Sequence, residues 1–394
     1  MPKHLQLKYS LLHIFFWLSY CCVYGYIAVF LRYRGMSNTM IGLTSGINCA
    51  MTIVTTPFFT GLVGKTKGLT IKKMIVISYS LMIALWAAMI WLPFPQAVLM
   101  LLFIALGNLM GVNVPLLTTI CMNYLTDGLS VNFGLARGLG SVSYATTAVV
   151  LGLLIERIDP TVLAFMHAGS TVLLFLTLFS MPDAEAKATG AGQEQLSMPA
   201  FVKHYKVYMI TLFAFTLSFA AATSLGTYLI NIVESLGGTT SMYGIGVFCM
   251  AASELPFMAL VPVLKRRIPT MHILLFASLA YVARNIIICM APSPGVLFFG
   301  MALQGLSYGI FTASITYYVH EALALEHGMQ GQTMIAVMTT GLGSTIGNLA
   351  GGMIQDTLGL PAMLRFCEVL TIAGALLFTI LAITQRKGTT KRKA

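Results

Sequence analysis

Two ionisable side chains, Glu254 and Arg284, stand in the middle of long apolar runs, and Arg137 stands nearer the end of another. A charge at the centre of a membrane helix costs about 2.5–3.5 kcal/mol on insertion scales, so such residues mark proton paths, counter-ions or ligand grips. Glu254 lies roughly 16 Å from either end of its run at 1.5 Å per residue, and Arg284 sits at similar depth in the next run. One reading is a mutual ion pair that locks the fold. The other makes Glu254 the proton-carrying carboxylate and Arg284 the group that tunes it or grips a solute, since burial and a nearby guanidinium push a carboxylate's proton affinity in opposite directions. Neutral hydrogen-bonding groups gather on two further runs. Asn108, Asn113, Thr118, Thr119 and Asn123, with Pro115, make one run polar and breakable; Gln304, Ser307 and Tyr308 mark the other. Groups of this kind orient a small polar solute. His13 and His167 are lone histidines near run ends and read as structural or interfacial rather than proton-carrying, and Arg365 and Glu368 read as an i,i+3 structural pair.

The elements that hold these residues follow from composition. The chain of 394 residues is 57% hydrophobic and 9% charged, with a mean hydropathy of +0.85. Such a chain cannot cover a water-facing surface, so lipid is its solvent, and runs of about 20 apolar residues call for helices rather than barrel strands. Twelve spans are expected at about 9–31, 38–64, 74–92, 96–125, 134–155, 161–181, 207–232, 241–264, 271–291, 295–319, 329–355 and 361–384. The only long polar interruption is central. The expected division is therefore a six-helix bundle over 1–181, a cytoplasmic linker over 182–206, a second bundle over 207–385 and a basic cytoplasmic tail over 386–394. The first run is too long for a signal-peptide core and is expected to be a retained helix.

The net charge of +11 does not indicate nucleic acid, because of where it lies. Lys and Arg concentrate in alternate loops, at Lys65 to Lys73, at Lys265 to Arg267 and at both chain ends, and only Arg32, Arg34 and Arg157 fall in the others. That asymmetry places both termini in the cytoplasm of a cell whose inner membrane the chain crosses. Seven cysteines lie inside apolar runs without metal-ligand spacing and read as free thiols. No metal, cofactor or nucleophile–base pair is expected, which argues against an enzyme. A monomer in the bilayer, exchanging a small solute and protons, is the expected assembly.

A repeat links the halves. Gly138-Leu139-Gly140-Ser141 recurs as Gly341-Leu342-Gly343-Ser344, and Gly343, Gly347 and Gly351 form the small-residue stripe that lets helix backbones approach closely. Two similar halves with a site between them near the midplane are a known transporter plan.

Three segments carry a resemblance to a family. Asn132-Phe133-Gly134-Leu135-Ala136-Arg137 resembles the Asn-Phe-Glu-Phe-Gly-Arg-Ala-Arg stretch of lactose-permease-like carriers; Ser253-Glu254-Leu255-Pro256-Phe257 and Leu303-Gln304-Gly305-Leu306-Ser307-Tyr308 resemble segments of nucleoside-symporter-like relatives. With the six-linker-six plan, the chain resembles the major facilitator superfamily, in the proton-symporter branch for oligosaccharides, nucleosides and phenylpropionate-type acids. The resemblance implies an all-helical fold of two six-helix bundles in pseudo-twofold arrangement. It also implies Arg137 as a solute-binding arginine, and Arg284 as the span-nine arginine of the branch. Where lactose permease has a carboxylate, a histidine and a glutamate, this chain has Thr119, Gln304 and Ser307. The expected function is proton-coupled uptake of a small polar organic solute by alternating access, with Glu254 and Arg284 coupling the proton. Arg137, Asn113, Thr119, Asn123, Gln304, Ser307 and Tyr308 would bind the solute. Proton-antiport export of drugs or metabolites, and a non-transporting sensor or assembly factor, stand as the alternatives.

Overall fold

The structure is a computed structural model that describes residues 4–66, 68–129, 131–183, 196–324 and 327–391. Among these residues every regular element is helical. The first stretch runs α1 (Leu5–Tyr20), a π-helical turn (Cys21–Gly25), α2 (Ile27–Tyr33), α3 (Asn38–Lys65), α4 (Ile71–Trp91), α5 (Gln96–Thr126), α6 (Phe133–Arg157) and α7 (Val162–Phe179). The second runs α8 (Met198–His204), α9 (Lys206–Thr227), α10 (Leu229–Ser235), α11 (Thr240–Lys265), α12 (Thr270–Cys289) and α13 (Pro294–Ala302). It continues through a π turn (Gly305–Gly309), α14 (Ile310–Ala322), α15 (Gly328–Ala336), a π turn (Val337–Gly343), α16 (Ser344–Leu358) and α17 (Leu360–Lys391).

Among the described residues, nine helices are long and apolar enough to cross a bilayer, and ten are if the pair α1–α2, bent by 49°, counts as one span. With α3 and the interrupted α15–α16 there are twelve crossing segments, close to the expected boundaries. The expected linker is partly outside the described residues, and α8 forms in its described end. The helix α17 continues to Lys391 through most of the expected tail.

Local sequence sets the helix starts. The side chains of Ser37, Thr70 and Asn132 accept from the backbone N–H three residues on, at 3.3, 3.2 and 2.9 Å, satisfying donors that a first turn leaves orphaned. Pro115 does not break α5, contrary to expectation. The hydroxyl of Thr119 donates to the Pro115 carbonyl at 2.8 Å, and hydroxyls of this kind help keep a proline-containing membrane helix satisfied. Among the described residues, interruptions fall instead at three π turns, each closing on a glycine, and at Tyr228 between α9 and α10.

The chain divides into two compact units. The first holds the described residues to Asp183 together with Thr239–Phe248, the start of α11; the second holds the rest. In the first unit α1 packs on α6 and α7, and α3 and α4 on α5. Trp86 meets Phe30 edge-on at 4.9 Å. His167, fully buried, lies parallel to the Tyr79 ring at 5.8 Å and shares a 2.8 Å hydrogen bond with Ser19; it lies in the bundle interior rather than at an interface.

In the second unit α9 packs on α16, α17 and α12, with Phe215 stacked on Phe311 at 4.1 Å. The glycine stripe lies against α9. A Cβ on Gly347 would fall 2.1 Å from the Ala220 carbonyl oxygen, and one on Gly351 2.1 Å from Ser224 Oγ. At Gly347 the contact is with backbone, which no side chain could enter without moving a helix. We expect Gly347→Val to lower stability by about 1–3 kcal/mol through overpacking, read as thermal unfolding in detergent. Gly169→Ala, at a helical glycine with nothing within 4 Å, is the control and should be neutral or slightly stabilising, since alanine outranks glycine in a helix. Equal losses in both would refute this account of the stripe.

Candidate functional site

The first unit builds a cation–aromatic face. Asn132 caps α6 and is clasped by Gln6, whose Oε1 accepts from the Asn132 N–H at 2.6 Å. Beyond this cap, the Arg137 guanidinium lies 3.8 Å above the centre of the Trp17 ring on α1, and its Nη1 donates to Ser141 Oγ at 2.6 Å. Gly140 makes the stack possible: a Cβ there would fall 2.2 Å from Trp17 Cδ1. Trp17 opens a ladder of rings, with Tyr20 at 4.9 Å, Tyr24 a further 4.7 Å on, and Tyr144 beside Tyr20 at 6.4 Å. The Tyr24 hydroxyl donates to the Gly107 carbonyl at 2.6 Å and accepts from Asn48 Nδ2 at 3.3 Å. The first copy of the repeated motif is thus a fitting: glycine for the indole, serine for the guanidinium. In the second unit the same motif faces α9, where Gly343 lies against the Thr216 carbonyl and Ser344 Oγ is 3.4 Å from Thr223 Oγ1.

The polar residues of α5 behave differently from expectation. Asn113 is fully buried; its Nδ2 donates to Ser78 Oγ at 3.0 Å and to the Leu109 carbonyl at 2.7 Å, and its Oδ1 accepts from Ser78. Both amide hydrogens are used, so Asn113 pins α5 to α4 and has no donor to offer a solute. Asn108 is likewise engaged by Asn48 and Thr55, at 2.9 and 2.6 Å. Thr119 is half-buried and bonded to its own helix, and Asn123 is buried.

In the second unit, two of the quoted segments interlock. The π turn widens the helix after Gln304 and leaves the Gly305 N–H outside the regular ladder; Ser253 Oγ accepts it at 3.0 Å. A Cβ on Gly305 would stand 2.2 Å from the Ser253 carbonyl oxygen and 2.4 Å from a Phe257 ring carbon. That contact brings the next side chains together: Gln304 Nε2 donates to Glu254 Oε1 at 3.2 Å, while Gln304 Oε1 is buried with no hydrogen-bond partner. Ser307 is buried and bonds back to the Leu303 carbonyl at 3.1 Å, and Tyr308 lies against the Phe219 ring at 5.9 Å.

Arg284 is 1% exposed, and the expected direct ion pair with Glu254 does not form. Its Nη1 donates to Asn285 Oδ1 at 2.7 Å and its Nη2 to Met250 Sδ at 3.5 Å, while Nε has no partner among the described residues. Asn285 Nδ2 in turn donates to Thr371 Oγ1 at 2.8 Å, tying α12 to α17. Met250 and Glu254 are four residues apart on one face of α11, about 6 Å along the axis. Arg284 therefore stops one helical turn short of the carboxylate. The Arg365–Glu368 pair is not formed either, and neither residue has an ion-pair partner among those described. Sequence reasoning missed Ser253, Met250, Asn285, Thr371 and Trp17. Only Ser253 carried a signal, as a hydroxyl adjoining the mid-span carboxylate.

Among the described residues no group of three or more His, Cys, Asp or Glu is placed to hold a metal ion, and the seven cysteines are free thiols. What remains is a lipid-embedded chain with isolated charges set among hydroxyls, amides and rings. The sequence model of the MFS_1 like family matches residues 6–366. The chain belongs to that family. It is a multi-pass membrane protein of the major facilitator superfamily of transporters, and not an enzyme. It is 22% identical over 311 residues to the maltose permease of Geobacillus stearothermophilus, covering 77% of this chain and 76% of that protein. It is 24% identical over 266 residues to the uncharacterized transporter YwbF of Bacillus subtilis (strain 168), covering 66% of this chain and 65%, just under two thirds, of the relative. The crystal structure of nucleoside transporter NupG superposes with a TM-score of 0.78 at 18% identity, over 97% of this chain and 98% of that one; at that identity the likeness is one of fold.

The Gly305 contact is open to a direct test. We expect Gly305→Ala to cut solute uptake by about tenfold or more, because pushing the π turn from α11 by an ångström misplaces Gln304 against Glu254. Gly295→Ala, where nothing lies within 4 Å, should leave uptake unchanged. Equal uptake by both variants in reconstituted vesicles would show that the contact does not position the pair.

Proposed function

We propose that this transporter takes up a small polar, ring-containing solute, a sugar or nucleoside, together with a proton, by alternating access. The observation that carries the reading is the Glu254–Gln304 pair, a carboxylate deep in an apolar helix that accepts a hydrogen bond from a neutral amide. When it is ionised, Gln304 donates Nε2–H. When it is protonated, a turn of the same amide would offer Oε1, now partnerless, to the new O–H. Arg284, one helical turn away at Met250, is the cation that a small shift would bring to the ionised form, favouring proton release. The nucleoside and maltose carriers among its relatives support the solute class. So does the ladder from Trp17 to Tyr24 with Arg137 at its foot, since rings stack on the faces of sugars and bases while a guanidinium reads their oxygens. Thr119, Asn123, Ser307 and Tyr308 stay in the proposed solute set; Asn113 leaves it because its amide is used. The basic loops support a cytoplasmic location for both termini in the inner membrane.

The test is the external pH of lightly buffered vesicles when sugars and nucleosides are added one at a time. External alkalinisation with one solute, lost in Glu254→Gln, is expected. With one proton per solute, a gradient of one pH unit supports about tenfold accumulation. Glu254→Gln should bring accumulation to equality while still exchanging labelled for unlabelled solute. Alkalinisation that survives the substitution would make Glu254 a packing group. A folded protein that answers no solute, yet releases preloaded compound, would make it an exporter.

The cation–aromatic stack gives a second prediction. Arg137→Lys keeps the charge but loses the planar guanidinium that covers the indole and reaches Ser141. We expect solute affinity to fall about tenfold with thermal stability within about 1 kcal/mol. Unchanged affinity in an equilibrium binding measurement would remove Arg137 from the site.

A further inference from the structure

A separate feature lies at the end of the second unit where α11 turns into α12. The turn is tight: the N–H groups of Arg266, Arg267 and Ile268 bond back to the carbonyls of Val263 and Leu264, and α12 begins directly after Pro269. Beside it is a cavity of about 380 Å³ lined by Lys265, Arg266, Arg267, Thr270, Tyr318 and Glu321. A second cavity, of about 350 Å³, shares the Tyr318 wall and is lined by His204, Lys206 and Tyr208 at the start of α9.

The charges here are unequally used. Lys265 is held by Glu321 at 2.9 Å and by the face of Tyr317 at 4.3 Å, and Thr270 Oγ1 also donates to Glu321, at 2.8 Å. Arg266, Arg267 and Lys206 are exposed, and no side-chain partner is recorded for any of them among the described residues. The guanidinium groups of Arg266 and Arg267 thus face a hollow that the N-terminus of α12 also borders, and the Lys206 ammonium faces the adjoining one across Tyr318. Guanidinium forks and helix N-termini are suited to phosphate oxygens. Exposed aliphatic side chains line the same two hollows, Ile268 the first and Val207 the second, at the ends of helices whose outer faces meet lipid. Cations in a hollow with bare aliphatic side chains beside it match a phosphate that carries acyl chains.

We propose that this hollow binds the headgroup of an anionic phospholipid. The phosphodiester would lie between Arg266 and Arg267 at the start of α12, Lys206 would approach from α9, and the acyl chains would run over Ile268 and Val207. Basic pockets between helices on the cytoplasmic side are suited to such headgroups. The site is independent of the proposed solute and proton groups, so it stands or falls separately from them.

The test is retention of phosphatidylglycerol against phosphatidylcholine by the purified full-length chain, read by native mass spectrometry and by titration with vesicles of each lipid. Wild type should prefer phosphatidylglycerol. Arg266→Gln with Arg267→Gln should weaken that preference about 30-fold, each cation contributing on the order of fivefold, and paired Lys substitutions should restore part of it. Glu321→Gln, which frees Lys265, should tighten phosphatidylglycerol binding, a gain that a merely structural role for the turn would not give. Lys206→Gln provides a milder loss if the double variant fails to fold. Retention equal to wild type in a folded double variant would overturn the proposal. So would displacement by inorganic phosphate alone as readily as by a short-chain phosphatidylglycerol, which would leave a simple anion site.

Discussion

The guanidinium of Arg284 is the charge around which the second unit is arranged. It is buried among apolar helices with no carboxylate in contact, and an arginine cannot shed its proton to escape the cost. Its environment supplies dipoles instead. The Asn285 amide oxygen takes one hydrogen bond and passes the constraint to Thr371, so the same interaction that solvates the charge ties α12 to α17. The Met250 sulfur takes another and holds the side chain against α11. The carboxylate that could neutralise it lies one turn further on and meets a neutral amide. This separation leaves the buried guanidinium and the half-buried carboxylate near one another without fusing the two into one pair, and a fixed pair between them would oppose any change in protonation.

Close backbone approach is the second requirement, and glycine supplies it at both chemical faces. At Gly140 the missing side chain makes room for an indole; at Gly305 it lets a π turn touch the carbonyl of Ser253. The π turn frees an N–H that a membrane cannot hydrate, and a neighbouring serine receives it. Wide turns of this kind concentrate at functional sites because they re-aim the side chains around them. Here the re-aimed side chain is Gln304. The stripe on α16 uses the same device for packing alone, which shows that small-residue spacing does not by itself distinguish a site from a helix contact.

Hydrophobic runs and basic loops made the twelve crossings and the family legible in the sequence, because lipid admits few kinds of backbone and residue type alone reports burial in it. Glu254, Arg284 and Arg137 were equally legible, since a charge in an apolar run has few explanations. Their partners were not. Glu254 and Arg284 lie at matching depth on consecutive helices, which predicts an ion pair. Yet the rotation of α11 brings Met250 rather than Glu254 to the guanidinium, and rotation about a helix axis depends on all the neighbours that pack on it. Asn113 looked like a solute ligand by type and depth, but Ser78 on the adjacent helix uses it. Trp17 was one aromatic among several until Gly140 proved to be its seat.

Sequence alone therefore determined the solvent, the number of crossings and which side chains are too costly to be idle, because each of these depends on the chemistry of single residues and their spacing along one helix. Only the tertiary structure decided which of those side chains meet. Contacts between helices depend on axial rotation, on sub-ångström backbone approach at particular glycines and on the placement of π turns. These are set jointly by residues far apart in the chain.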